Sequence, residues 1–273
     1  MLVDITSPDD PRLAPYVSIR ERDLTGRSDG RFIVEGKVTL GILVQRSRFE
    51  IESLFIGDSR VEPLSESLAA LPQDVPVYVA PQSVMDKVAG FPIHRGVLAC
   101  ARKGEPIGLE TMLEHDTLLV LNGISNHDNV GAAFRNAAAF GAGGVVLDSE
   151  SCDPLYRKSI RVSAGSALWL PFHHGGSGTD HITALKAAGY EIWAMTPRDS
   201  ALPLQDLGVE GKIAIVLGAE GPGLPDQLID AATPVRIAMA TGFDSVNVAT
   251  AGAIALSRVF DARLAQSRSQ TSL

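Results

Sequence analysis

A guanidinium set in a small, apolar helix is the first feature of this chain that could do chemistry. Arg135 lies in residues 122–141, NGISNHDNVGAAFRNAAAFG, which follow an apolar, strand-like run. The sequence predicts a polar loop and then a helix from Val130 to Gly141, with Asp128 and Asn129 as candidate N-caps. A strand, a polar loop and a helix N-terminus form an anion-binding arrangement, and a nearby guanidinium favours phosphate.

The same pattern fits an ordinary strand–helix unit in which Arg135 is paired with a carboxylate, so this run alone leaves both interpretations open. A second run, IAIVLGAEGPGL at residues 213–224, leads an apolar strand into a turn rich in glycine. Glycines at a strand end indicate a tight turn or the close approach of a backbone to a ligand. Within that turn, Glu220 is either a loop-capping carboxylate or an acceptor for a substrate hydrogen bond.

A third run, IAMATGFDSVNVATAGAI at residues 237–254, passes from a strand end through a glycine-containing loop into a helix of small residues. In this order the three runs resemble the three motifs of the SpoU/TrmH family of RNA ribose 2′-O-methyltransferases, in the SPOUT superfamily, over roughly residues 110–265. The matching positions are Asn129, Arg135, Ala137, Phe140 and Gly141 in the first motif, Gly218, Glu220, Gly223 and Leu224 in the second, and Ile237, Met239, Ser245, Asn247 and Val248 in the third. The chain departs from the family at Ala238, where proline is usual, at Val246, where leucine is usual, and at Thr241–Gly242.

The resemblance implies a fold, a cofactor and an assembly. The fold would contain a deep trefoil knot towards its C-terminal end, which pattern alone would not suggest because knots are so rare. S-adenosylmethionine would bind in a bent form within the knotted loops, and the protein would be a homodimer whose site draws on both subunits. The cofactor-binding residues would be Leu217, Gly218, Ile237, Met239 and Val246. Glycines at 218 and 242 suit the close main-chain approach that adenine and ribose need.

The resemblance also implies roles for the polar residues. The family gives the activating role to the arginine that matches Arg135, aided by a substrate phosphate. Because the pKa of arginine stays above about 12, we expect Arg135 to orient phosphate and stabilise the developing alkoxide instead of acting as a base. Asn129 would hold that arginine or the ribose phosphate, and Ser245 and Asn247 would order the loop and the target nucleotide. Glu220 completes the candidate catalytic set.

The function implied is methyl transfer from S-adenosylmethionine to a ribose 2′-hydroxyl of structured RNA, with ribosomal RNA favoured over transfer RNA. A non-catalytic RNA-binding paralogue that keeps the fold is the alternative. A third option, a nucleotide-dependent oxidoreductase, is not favoured because no G-x-G-x-x-G follows the first strand of the domain, and only tight NAD binding would revive it.

Length and composition indicate the fold class and the number of domains that position these residues. With 273 residues, 45% hydrophobic and 21% charged, the chain is predicted to be globular with two domains. Alternating strands and helices predict a small α/β domain over residues 1–105. This first domain looks like the small RNA-binding domain of the SpoU/TrmH family, and the resemblance implies that role for it. Residues 109–265 are expected to form a mostly parallel sheet with helices on both faces. The predicted strands of this second domain are 118–121, 144–147, 191–195, 212–217 and 235–237, and its predicted helices are 130–140, 154–163, 180–188, 225–229 and 246 to 264. Residues 266–273 are expected to be a disordered tail.

Net charge and cysteine content limit the possible binding partners, disulfides and metal sites. The net charge of −8 argues weakly against a general nucleic-acid binder. A basic stretch near the N-terminus contains Arg20, Arg22, Arg27, Arg31, Lys37, Arg46 and Arg48. Acidic residues are interleaved with them, so any single one of these basic residues is most simply interpreted as part of a solvent-exposed surface of mixed charge. Cys100 and Cys152 are too few for a disulfide framework and lack metal-ligand spacing. His173 and His174 are expected in a solvated turn. With neither a signal peptide nor a membrane-spanning run in sight, we expect a cytoplasmic, metal-free protein.

Overall fold

The structure is a computed structural model that describes residues 1–19, 29–93 and 95–271. The strands are β1 (Leu2–Asp4), β2 (Arg31–Glu35), β3 (Ile51–Gly57), β4 (Val77–Ala80), β5 (Val97–Arg102), β6 (Thr117–Asn122), β7 (Gly144–Leu147), β8 (Phe172–His174), β9 (Tyr190–Met195), β10 (Leu202–Pro203), β11 (Lys212–Gly218) and β12 (Thr233–Arg236). The α-helices are α1 (Lys37–Arg46), α2 (Ser65–Ala69), α3 (Gln82–Ala89), α4 (Leu109–Met112), α5 (His127–Ala139), α6 (Arg157–Val162), α7 (Gly178–Ala187), α8 (Asp226–Asp230) and α9 (Val248–Thr271). Arg20, Arg22 and Arg27 of the basic stretch lie outside the described residues.

The chain folds into two compact units. The first comprises Met1–Glu105 and Leu155–Trp169, and the second comprises Pro106–Pro154 and Leu170–Leu273. The segment 155–169 therefore folds with the first unit, although the sequence placed it within the second domain. Its contacts explain this: Arg157 forms an ion pair with the buried Glu35, and a side chain on Gly165 would lie only 2.8 Å from Ile42.

The first unit is built on a five-stranded mixed sheet with the strand order β1-β4-β3-β5-β2. Strand β5 runs antiparallel to β2 and β3, and the other pairs are parallel. Alternate residues of the sheet, such as Ile33, Phe55 and Leu98, form one apolar core together with Met85 of α3. The RNA-binding role expected for this unit stays a prediction.

The second unit has a seven-stranded, fully parallel sheet with the order β10-β12-β9-β11-β6-β7-β8. Leu118 and Val216 share one face with Ile182 of α7. On the other face, Gly252 of α9 lies against Leu217, where a methyl group would come within 2.8 Å of the leucine. The central strands β6, β7 and β11 are buried along nearly their whole length and are mostly apolar, as parallel strands covered on both faces usually are. The predicted α/β fold with a mostly parallel sheet is confirmed.

Helix α5 starts earlier than the sequence predicted. It begins at His127, and its N-cap is Asn126, whose side-chain oxygen accepts from the backbone N–H of Asp128 at 2.8 Å. Asp128 and Asn129 therefore lie in the first turn and do not cap it. Three neighbouring residues with the same capping chemistry explain the error, because composition cannot choose among them. Asn129 is thereby freed to use its side chain elsewhere.

Two further predictions are corrected. His173 and His174 lie on strand β8, half-buried, and His173 Nδ1 is 2.9 Å from the carbonyl of Ile107. Residues 272 and 273 lie outside the described residues, whereas residues 266–271 continue helix α9, so the disordered tail expected over residues 266–273 is wrong for this part. Tertiary contact outweighs their polar composition, since Gln266 donates to the carbonyl of Val209 at 2.8 Å.

Candidate active site

A cavity of about 620 Å³ lies where strands β9, β11 and β12 end. Three loops line it: one following β9, one following β11, and one leading from β12 to α9. The carboxyl ends of parallel strands are where open α/β sheets bind ligands. All of the predicted cofactor-binding residues line this cavity, namely Leu217, Gly218, Ile237, Met239 and Val246.

The loop after β11 closes tightly on itself, and this closure explains its glycines. A Cβ on Gly218 would lie 2.3 Å from the backbone of both Gly223 and Leu224, so no side chain fits there. Gly223 takes φ +72° and donates its N–H to the carbonyl of Ala219 at 2.9 Å. Gly242, expected to approach the cofactor, is not a lining residue, and its φ of +86° is the feature that requires glycine.

A chain of side-chain hydrogen bonds joins all three motifs at the cavity. Asn129 donates its amide to the Glu220 carboxylate. The oxygen of Asn129 in turn accepts from the amide of Asn247 at 2.8 Å. The oxygen of Asn247 accepts from the backbone N–H of Ala249 at 2.9 Å, which caps helix α9. Each amide thus uses its donor and its acceptor, which fixes the orientation of Asn129 and Asn247.

Ser245 and Arg135 are placed differently from these residues. Ser245 lines the cavity and is exposed. Arg135 is exposed on α5, does not line the cavity, and forms neither a hydrogen bond nor an ion pair with another residue of the described ranges. The structure therefore brings Asn129, Glu220 and Asn247 together and leaves the guanidinium of Arg135 open to solvent.

Sequence reasoning missed three charged residues that line the cavity: Arg198, Asp226 and Asp244. Arg198 follows β9 and forms ion pairs with Asp226 and, at 3.6 Å, with Asp230. Its position in the sequence could have identified Arg198, because it follows the carboxyl end of a predicted strand, as the second and third motifs do.

Cys152 lies near Glu220 of the second motif, and its surroundings argue against a role as a nucleophile. Burial raises the pKa of its thiol, and the carboxylates of Glu220 and Asp153 add to the shift. The thiol also donates to the carbonyl of Ser125. Because a reactive cysteine needs an electropositive setting that favours the thiolate, Cys152 is suited to structure and not to attack.

The described part of the chain shows neither a metal centre nor a membrane span. Within residues 1–19, 29–93 and 95–271, no group of three or more His, Cys, Asp or Glu side chains is arranged to hold a metal ion. No helix in those ranges combines the length and apolar character that crossing a membrane requires.

Comparison with known proteins gives consistent results. The profile of the SpoU rRNA Methylase family matches residues 116–257. An uncharacterized tRNA/rRNA methyltransferase of Mycobacterium tuberculosis is 39% identical, covering 92% of this chain and 89% of that relative. The 23S rRNA (guanosine-2′-O-)-methyltransferase RlmB of Acinetobacter baylyi is 30% identical, covering 73% of this chain and 83% of the relative.

Solved structures agree with the sequence relatives. The crystal structure of an RNA 2′-O ribose methyltransferase superposes with a TM-score of 0.76 at 26% identity, covering 96% of this chain and 100% of that one. An AdoMet-bound rRNA methyltransferase from Sinorhizobium meliloti shares the fold, with a TM-score of 0.76 at 23% identity and coverage of 94% and 97%.

Proposed function

The chain belongs to the SpoU rRNA Methylase family, and from this membership we propose that it transfers a methyl group from S-adenosylmethionine to a ribose 2′-hydroxyl of structured RNA. The observation that carries the proposal is the hydrogen-bonded chain Glu220–Asn129–Asn247, which ties the three motif loops together at one cavity. Such a network holds polar groups in place before substrate arrives, and transition-state stabilisation depends on that preorganisation.

The cavity fits the family's cofactor, S-adenosylmethionine. At about 620 Å³ it has the size of a small-molecule site. Its charged lining residues are three carboxylates, of Glu220, Asp226 and Asp244, and one guanidinium, of Arg198. This excess of negative charge suits a ligand with a sulfonium, an ammonium and a single carboxylate. Leu217, Gly218, Ile237, Met239 and Val246 would hold the cofactor, which supplies an electrophilic methyl group when bound.

The residues of the chain would position the second substrate. Arg135 clamps an RNA phosphate and stabilises the 2′-oxygen as its proton leaves for solvent or phosphate. Its guanidinium acts as a fixed charge because its pKa is too high for a base. Asn129 and Asn247 hold the loop that presents Ser245 to the target nucleotide. These residues would hold the ribose hydroxyl in line with the methyl group that the bound cofactor would supply, and such orientation lowers a transfer barrier substantially.

We further propose a homodimer in which each site is completed by the other subunit. The exposure of Arg135, and its absence from the cavity lining of its own chain, support this arrangement. The partner subunit's Arg135 would then face the cavity. Sedimentation equilibrium tests the dimer, and mixing an Arg135→Ala subunit with an Asn129→Ala subunit tests shared sites, because only mixed dimers would regain activity.

The loops around the cavity are proposed to form a deep trefoil knot. The closed loop at Gly218–Leu224 and the packing of α9 on α5 and β11 are compatible with it. The knot has a mechanical consequence. Pulled from its two ends, a knotted chain extends by less than its contour length, which single-molecule force spectroscopy measures.

Ribosomal RNA is the favoured substrate, with the first unit binding RNA. Support comes from the RlmB relatives, whose names specify a guanosine 2′-O position of 23S rRNA. The deciding experiment supplies labelled cofactor and the protein to total RNA from a strain lacking the gene, followed by mapping of the labelled site. A restored ribose 2′-O-methyl group supports the proposal. Cofactor binding without transfer to any RNA would favour the non-catalytic paralogue, and a methylated base would contradict ribose specificity.

A further inference from the structure

Arg198 is the only cation among the cavity-lining residues of the described ranges. The family motifs do not include it. S-adenosylmethionine carries two positive groups and one carboxylate, so its carboxylate finds a single opposite charge in this cavity. Electrostatic complementarity therefore pairs the methionyl carboxylate with Arg198.

The backbone holds Arg198 in place. Two residues before it, Thr196 donates its N–H to the carbonyl of Val235 at 2.9 Å, which extends the sheet beyond β9. The carbonyl of Arg198 itself accepts from Ala201 at 3.0 Å. The Arg198 side chain is 36% exposed, so it is neither buried in the core nor fully open to solvent.

Its ion pairs leave donors available. Arg198 contacts Asp226 through one terminal nitrogen and Asp230 through the other, at 3.6 Å. A guanidinium has five N–H donors, so further donors remain for a second carboxylate. Asp226 lines the cavity and its side chain is 85% exposed, so its carboxylate remains open to a cationic group.

We propose that Arg198 and Asp226 form a receptor for the amino-acid end of S-adenosylmethionine. Arg198 binds the α-carboxylate, and Asp226 binds the α-ammonium. In the free protein Arg198 and Asp226 form an ion pair with each other. When the cofactor binds, its carboxylate lies next to Arg198 and its ammonium next to Asp226. The inference rests on the proposed function only through the cofactor, and not through the identity of the RNA.

The test compares two ligands that differ only in this end. S-adenosylhomocysteine keeps the amino acid, whereas 5′-methylthioadenosine keeps the adenosine and the thioether and lacks it. Calorimetry on full-length Arg198→Gln is expected to show S-adenosylhomocysteine binding weakened by about tenfold or more, as for a lost charge-assisted hydrogen bond. Binding of 5′-methylthioadenosine should stay within about twofold of wild type.

Two further variants sharpen the result. Lys186→Gln removes an exposed cation from α7 of the same unit and should leave both affinities unchanged. Arg198→Lys keeps the charge without the planar fork and should fall between wild type and Arg198→Gln. Equal weakening of both ligands would place Arg198 at the adenosine, and no weakening of either would remove it from the site. If the wild-type protein bound neither ligand, the cofactor assignment itself would fail.

Discussion

Asn247 donates its side-chain amide to the side-chain oxygen of Asn129 across 2.8 Å, although the two residues are 118 positions apart. The contact gives Asn247 a second task, because its oxygen already accepts from the first backbone N–H groups of α9. One side chain thus stabilises a helix and ties two motif loops together. The two tasks use different atoms and can be separated by mutation.

Asn247→Asp should separate stability from methyl transfer. An aspartate keeps the oxygen that caps α9 and loses the donor to Asn129, so it should lower the transfer rate with little loss of stability. Asn247→Ala loses both contacts and should also lower the free energy of unfolding by about 0.5–2 kcal/mol. Urea denaturation and labelled-cofactor transfer measure the two effects. An Asn247→Asp protein with the full transfer rate would show that the link to Asn129 has no part in activity.

Arg135→Ala tests the phosphate clamp. Because Arg135 is exposed and outside the cavity, its loss should leave cofactor affinity within about twofold of wild type while lowering the transfer rate by about 100-fold or more. Arg135→Lys keeps a charge without the bidentate fork and should recover part of the rate. Calorimetry with S-adenosylhomocysteine and a single-turnover transfer assay provide the two readouts. An equal loss of both would mean that the guanidinium serves the cofactor.

The sequence predicted features that depend on neighbouring residues better than features that depend on contacts between residues far apart in the chain. Five of the seven described strands of the second unit were predicted, because burial on both faces leaves apolar runs such as IAIVL within β11. The short edge strands β8 and β10 carry no such run and were missed. The ion pair between Glu35 and Arg157 spans 122 positions, so the sequence could not show that residues 155–169 fold with the first unit.

The residues of the candidate site show the same contrast between those that the sequence predicted and those that it did not. Asn129, Glu220 and Asn247 were found because they lie in motifs with fixed spacing. Arg198 was missed because its partner Asp226 is 28 positions away and no motif contains either residue. The sequence also could not identify the N-cap of α5, because Asn126, Asp128 and Asn129 are all suitable capping residues and the structure uses Asn126.

Gly218→Ala should disrupt the loop after β11. The added methyl group would lie 2.3 Å from the backbone of Gly223 and Leu224, and backbone cannot move aside as a flexible side chain can. Overpacking of this kind costs about 1–3 kcal/mol. We expect a lower unfolding temperature and weaker binding of S-adenosylhomocysteine, measured by calorimetry. Gly208→Ala is the matched control, because nothing lies within 4 Å of the position that its new methyl group would take. Wild-type affinity in Gly218→Ala would show that this close approach does not shape the cofactor site.

His181 should make the stability of the second unit depend on pH. The side chain is buried, its Nε2 lies 2.8 Å from the carbonyl of Gly175, and its Nδ1 has no hydrogen-bond partner in the described ranges. Burial lowers the pKa of His181 below its ordinary value of 6.5; His173 lowers it slightly further, while the Gly175 carbonyl and the carboxylates of Asp148 and Asp180 oppose the shift.

The sign of the effect follows from proton binding. Below pH 6.5 the unfolded chain takes up a proton on this histidine that the folded protein resists, so the free energy of unfolding falls as the pH drops towards the folded-state pKa. His181→Gln keeps an N–H for the Gly175 carbonyl and cannot titrate in this range. Urea denaturation at about pH 7.5 and about pH 5.5 should therefore show a smaller loss of stability in His181→Gln than in wild type. Equal losses in the two proteins would mean that His181 is protonated as readily in the folded state as in the unfolded chain.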